Sequence, residues 1–229
     1  MNEATSPAPE PVVPARVRVR VWDIPVRITH WAFVVGVVFS WWTAETGRLE
    51  WHRWSGYTLL GLVLFRLYWG FFGSSTARFS QFVRGPRAIG QYLKGSLAPR
   101  AGHNPLGALS VVGLLVLLLA QIVLGLFAVD VDGMESGPLS LYVSFEAGRL
   151  AAQWHEWVFN ALMIVVLLHV LAVLFYLFRR QNLVGAMITG TRSFDSPVEP
   201  VSSGSWIRLI IGIVLVTGLT WAVSKAFQL

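Results

Sequence analysis

The chain has 229 residues, of which 55% are hydrophobic and only 13% charged, with a formal net charge of +6. A soluble domain of this length needs more charge to cover its surface, so the composition excludes one and points to an integral membrane protein. The positive balance does not call for nucleic acid, because the basic residues sit in loops between apolar runs as in a positive-inside pattern. There is no cysteine, which excludes disulfides, Cys-ligated zinc, iron–sulfur clusters and haem attached through C-x-x-C-H.

Residues 1–20, "MNEATSPAPEPVVPARVRVR", are polar, proline-rich and then basic. They lack the apolar centre of a signal peptide and read as a retained, partly disordered cytoplasmic tail. About twenty apolar residues cross the hydrocarbon core as a helix. Five segments meet or approach that length: 26–44, 52–72, 105–128, 154–178 and 206–227. Asp23 and Pro25 stand at the start of the first segment, and Asn104 and Pro105 at the start of the third, as cap and first-turn residue. Between the second and third, "FSQFVRGPRAIGQYLKG" reads as a short amphipathic helix on the inner surface. The expected organisation is a tail at 1–20, a four-span domain at 21–192, a linker at 193–205 and a fifth helix at 206–229.

Loop charge sets the expected topology. Arg16, Arg18, Arg20, Arg27, Arg78, Arg84, Arg87, Lys94, Arg100, Arg179, Arg180 and Arg192 fall on one side. The other side has only Arg48, Arg53, Arg149 and Lys225, and its long loop carries Asp130, Asp132, Glu135 and Glu146. This predicts a multi-pass membrane protein with its N-terminus on the inner, cytoplasmic side and its C-terminus on the outer side. The eleven tryptophans fall mainly near segment ends, as in an aromatic belt.

Four of the five histidines, His30, His52, His155 and His169, lie in or at the ends of spans. Ionisable residues there are functional-site candidates by default, although any one of them is also explained as an interfacial residue bonded to headgroups or backbone. The set is more informative. His155 and His169 are fourteen residues apart, a rotation of about 1400° that returns both to nearly one helix face, with about 21 Å between them along the axis. With the first span running inside to outside and the second and fourth outside to inside, depth pairs His52 with His155 and His30 with His169. Two bis-imidazole sites result, one above the other.

Haem suits such pairs, since the porphyrin fills four iron positions and leaves two axial sites for neutral imidazole. Two irons about 20 Å apart make an electron path across the bilayer. Zinc suits them less, because two histidines without carboxylate or thiolate do not complete its shell. Glu156, beside His155, is the one nearby acid and is also explained as interfacial charge.

The set "RITHW", "WHRWSGY", "GHNPLGA" and "WHEW…LLHV" resembles the bacterial cytochrome b561 family, including the b-type cytochrome subunits related to those of Ni,Fe-hydrogenases, over about residues 19–192. The resemblance implies an all-α integral membrane protein: a four-helix transmembrane bundle binding two non-covalent b-type haems, here followed by a fifth C-terminal transmembrane helix. It implies His30, His52, His155 and His169 as the iron ligands. It also implies electron transfer between the membrane quinone pool, with ubiquinone as a candidate, and a redox partner such as a c-type cytochrome or a dehydrogenase or hydrogenase subunit. Whether the chain is itself a quinone-linked oxidoreductase, the membrane subunit of one, or a homodimer stays open. The fifth segment and the proline-rich tail depart from the family's usual core.

Around those sites, Arg53 and Arg149 on the outer side and Arg27 and Arg66 on the inner side are candidates to pair with haem propionates; topology also explains each. His103 is either a helix-start histidine or a propionate or quinone contact. Gly36, Gly56, Gly61, Gly113 and Gly125 either admit the macrocycle or let helices approach closely. Gln121 is expected to make an interhelical hydrogen bond. Two rival classes are a transporter that uses its histidines for protons or metals, which would show broken helices or an inverted repeat, and a non-catalytic membrane anchor, which would not need four histidines at two matched depths.

Overall fold

The first long helix begins at its predicted cap. Asp23 accepts a hydrogen bond from the Val26 N–H, proline occupies the first turn, and α1 runs Ile24–Glu45. In the computed structural model, which describes residues 17–96, 101–132, 135–195, 198–199 and 201–226, four more long helices follow. They are α2 (Leu49–Phe72), α5 (Pro105–Phe127), α6 (Phe145–Phe178) and α8 (Trp206–Lys225). The short helices α3 (Phe79–Phe82), α4 (Pro86–Leu93) and α7 (Leu183–Thr189) lie between them. Asn104 caps α5 by accepting from the Gly107 N–H. The expected amphipathic helix is two pieces, α3 and α4, because Gly85 and Pro86 interrupt it.

The helix α6 starts at Phe145, well before its apolar run, and at 34 residues is about 51 Å long. Ser144 caps it by accepting from the Ala147 N–H, and "FEAGRLAAQ" is rich in strong helix formers. Hydropathy marks the membrane stretch of such a helix, whereas propensity and capping mark its true start. Four helices, α1, α5, α6 and α8, are long and apolar enough to cross a membrane. The remaining long helix, α2, has 24 residues but carries Glu50, Arg53 and Arg66.

Residues 17–20 correct the expectation of a disordered tail. Val17–Arg20 form strand β1, antiparallel to β2 (Thr191–Phe194), with Val17 opposite Phe194 and Arg20 opposite Thr191. The alternating V-R-V-R is a strand pattern, but its partner lies at the far end of the bundle's sequence. The rest of the expected tail, residues 1–16, lies outside the described residues. The sheet is tied to α1 through Gly190, whose carbonyl accepts from the Val21 and Trp22 N–H groups at 2.8 and 3.1 Å. Gly190 ends α7 in the left-handed region at φ 81°, and a Cβ there would lie 2.8 Å from the Trp22 carbonyl oxygen, so no other residue fits without strain.

Two apolar clusters hold the molecule. One, at the N-terminal end of α1, joins Val21, Trp22, Val26, Trp69, Ala77, Ala186 and Phe194. The other, between α2, α5 and α6, joins Leu59, Leu60, Val63, Leu118, Ile122 and Leu162. The central helix α2 touches α1, α5 and α8. Against α8 the approach is close. Tyr68 Oη donates to the Arg208 carbonyl at 2.9 Å, and a Cβ on Gly212 would lie 2.4 Å from the Tyr68 ring. Replacing Gly212 by Leu is expected to prise α8 from α2 and cost about 1–3 kcal/mol, read as a lower unfolding temperature in detergent and faster proteolytic release of α8. An unchanged melting temperature would show that this contact does not hold α8.

Candidate functional site

The histidine-bearing helices fall into two groups, α1 with α2 on one side and α6 on the other. α1 and α2 pack together, α5 and α6 pack together, and α2 joins α5; among the described residues α6 makes no comparable contact with α1 or α2. His52 on α2 and His155 on α6 meet across that separation, with ring centroids 6.1 Å apart and planes at 85°. Each ring is held from behind. His52 Nδ1 lies 2.9 Å from the Ser40 carbonyl on α1, and His155 Nδ1 lies 2.8 Å from the Gln121 carbonyl on α5. A carbonyl only accepts, so both Nδ1 atoms carry the proton and donate, and both Nε2 atoms keep their lone pair for a metal.

Imidazole–metal bonds are about 2.0 Å long, so two rings with centroids 6.1 Å apart leave room for a metal that both would hold. Gly125 makes room for this arrangement, since a Cβ on it would lie 2.9 Å from His155 Cε1. Nearby, Arg53 pairs with Glu135 at 3.0 Å, and Arg149 donates to the Val129 carbonyl at 3.0 Å. Both arginines thus help fold the loop between α5 and α6 over this end of the bundle.

The other two histidines belong to a second level. His169 Nδ1 lies 3.2 Å from Ser110 Oγ on α5, while His30 Nδ1 is buried with no hydrogen-bond partner. His103 is sandwiched between Trp22 and Phe82, with centroids at 4.5 and 4.7 Å. Burial first, then the Arg66 guanidinium, then the His169 and His30 imidazoles hold its pKa down at about 3. The ring is therefore neutral, and those influences put His30, His103, His169 and Arg66 in one neighbourhood. Arg66 is only 6% exposed, and its carbon Cζ lies 5.1 Å from the centre of the Phe79 ring.

Three buried polar atoms at this level, His30 Nδ1, His103 Nδ1 and Arg66 Nη1, have no partner among the described residues. Unpartnered buried polar groups are costly. A guanidinium and imidazoles left so fit a ligand that brings both a metal and carboxylates, as haem does. Arg27 is engaged elsewhere, donating through Nε to the Met187 carbonyl at 3.3 Å and through Nη2 to the Ile188 carbonyl, which caps the end of α7.

Among the described residues, no three His, Asp or Glu side chains gather where they could hold a bare metal ion. What the chain offers is a facing pair of imidazoles, His52 and His155, which would suit a metal whose other donors come from a macrocycle. The glycines divide. Gly36 lies against Leu59 and Gly61 against Thr220, which is helix packing; Gly125 borders His155; Gly56 and Gly113 face open space. At Gln121 the interhelical bond is made by the backbone carbonyl, and the side-chain Oε1 is buried without a partner. Sequence reasoning missed the acceptors at Ser40 and Gln121 because every residue has a carbonyl. Ser40 and Ser110, hydroxyls within apolar spans whose Oγ atoms each lie 3.2 Å from a histidine Nδ1, were the available signals.

A family model described as prokaryotic cytochrome b561 matches residues 21–190. The chain belongs to that family. Comparison with the curated proteins and with the solved structures returns no match. This cytochrome b561 is thus a multi-pass membrane protein that binds b-type haem and serves membrane electron transfer. The match takes in α1 to α7 and leaves β2 and α8 outside.

Proposed function

We propose that this cytochrome b561 is a dihaem electron carrier of the inner membrane. His52 and His155 hold one b-type haem, His30 and His169 the other, and electrons pass between the quinone pool and a partner such as a c-type cytochrome or a dehydrogenase subunit. The observation that carries this reading is the His52–His155 pair, 6.1 Å apart, with both Nδ1 atoms bonded to carbonyls of other helices. When bound, haem would supply one-electron redox chemistry.

The chain's own residues do the rest. The Ser40 and Gln121 carbonyls fix the tautomer and aim of the outer pair, and Ser110 Oγ orients the His169 ring. Arg66 and His103 wait at the inner level with unpartnered nitrogens suited to a propionate. Leu59, Leu60, Val63, Leu118, Ile122 and Leu162 keep water out of the bundle.

In this reading all five long helices span, with the charges of α2 at its end or buried inside the bundle. The arginines around the start of α1, Arg16, Arg18, Arg20 and Arg27, support a cytoplasmic N-terminus and, with five spans, a periplasmic C-terminus. Anaerobic addition of ubiquinol to the oxidised protein is expected to produce the absorption bands of reduced b haem. Haem that dithionite reduces but no quinol does would remove quinone from the proposal.

A further inference from the structure

A second built site lies where α8 joins the family core. A cavity of about 250 Å³ opens between the start of α1, the turn after α2 and the lead-in to α8. Ser74 and Thr76 line it, are 2% and 7% exposed, and have hydroxyls with no hydrogen-bond partner among the described residues. Two buried donors without acceptors call for an acceptor-rich ligand. Such a ligand also meets the N-terminus of α8. Its cap, Ser205, also lines the cavity and makes no side-chain capping bond, so the first-turn N–H groups present unmet donors and a partial positive charge.

Charge selects an anion. Arg20 and Arg27 stand in the wall. The one carboxylate there, Asp23, is occupied, since Oδ1 accepts from the Val26 N–H and Oδ2 from Trp69 Nε1–H, both at 2.9 Å. The walls are preformed. Ser75 N–H donates to the Ser202 carbonyl at 3.2 Å, and Ser202 N–H to Ser75 Oγ at 3.0 Å. Gly204 rests on Trp69, where a Cβ would lie 2.4 Å from the ring. Ile24, Trp206 and Leu209 add an apolar border along which acyl chains can run.

We propose that this cavity binds a phosphate group, held by the Ser74 and Thr76 hydroxyls, the α8 N-terminus and Arg20. An acidic phospholipid headgroup and free inorganic phosphate share that chemistry, and basic pockets between membrane helices are suited to the former. The site would then use an anion to fasten the extra helix to the cytochrome.

The test uses the purified full-length protein by native mass spectrometry with phosphatidylglycerol or phosphatidylcholine, and by thermal unfolding with inorganic phosphate alone. Wild type is expected to prefer phosphatidylglycerol, and the double variant Ser74→Ala, Thr76→Val to lose that preference by about tenfold, the worth of one charge-assisted hydrogen bond. Stabilisation by inorganic phosphate in wild type but not in the variant would also uphold the site and name free phosphate as its occupant. Because the double variant alters a buried turn, Arg20→Gln, at an exposed position, is the second probe and is expected to weaken the same preference. Equal phosphatidylglycerol and phosphate responses in wild type and both variants would overturn the proposal. So would loss of co-purified ubiquinone from the double variant with its phosphatidylglycerol binding unchanged.

Discussion

Replacing His155 by Ala is expected to halve the haem content, from two b haems per chain to one, and His30→Ala is expected to do the same through the other site. The two losses should be distinguishable, because the two environments differ. His155 is hydrogen-bonded to the Gln121 carbonyl and faces His52. His30 has no Nδ1 partner and shares its level with His103 and Arg66. Each variant should therefore retain a reduced-minus-oxidised spectrum, but with a different residual midpoint potential. If His52 and His155 hold one haem, His155→Ala would take away half of the chain's bonds to it and leave His52 without its facing ring. Pyridine haemochrome assay against protein concentration reads the ratio. Two haems remaining in either variant would exclude that histidine as an indispensable ligand, and a drop to zero in both would show that the sites are not independent.

A larger side chain at Gly125 is expected to remove the same haem as His155→Ala without touching a ligand. A Cβ there would lie 2.9 Å from Cε1 and 3.2 Å from Nδ1 of His155, so Gly125→Val drives the ring away and breaks its 2.8 Å bond to the Gln121 carbonyl. Overpacking and the lost hydrogen bond together cost about 3 kcal/mol, roughly a hundredfold in haem affinity. Gly113→Ala is the matched control on the same helix, since a Cβ there meets nothing within 4 Å. Equal haem content in Gly125→Val and Gly113→Ala would show that the close approach at Gly125 is not what seats His155.

Apolar runs and caps were legible in the sequence because they are local. Asp23 and Asn104 each stand three residues before the N–H they accept from. Helical period together with span direction places His52 at the depth of His155, and the rings do lie 6.1 Å apart. What the sequence concealed is non-local or chemically generic. The partner of β1 is a strand beyond all four spans of the family core. The groups that orient His52 and His155 are backbone carbonyls, which no residue type announces. The arginines show a third limit. Loop charge places Arg27, Arg53 and Arg149 near the membrane surface, but only the folded chain assigns them to Met187 and Ile188, to Glu135 and to Val129. Arg66 alone of the four is deeply buried with an unpartnered nitrogen, a property set by the packing of α3 and the 101–104 turn around it and not by its own neighbours in sequence.

The central claim is that four histidines hold two haems at two levels of one bundle. An anaerobic potentiometric titration of the purified wild-type protein, with haem counted against polypeptide in the same sample, tests it most directly. The account predicts two b haems per chain and two one-electron steps of equal amplitude, one of which disappears in His155→Ala and the other in His30→Ala. A single haem per chain titrating in a single step would contradict it.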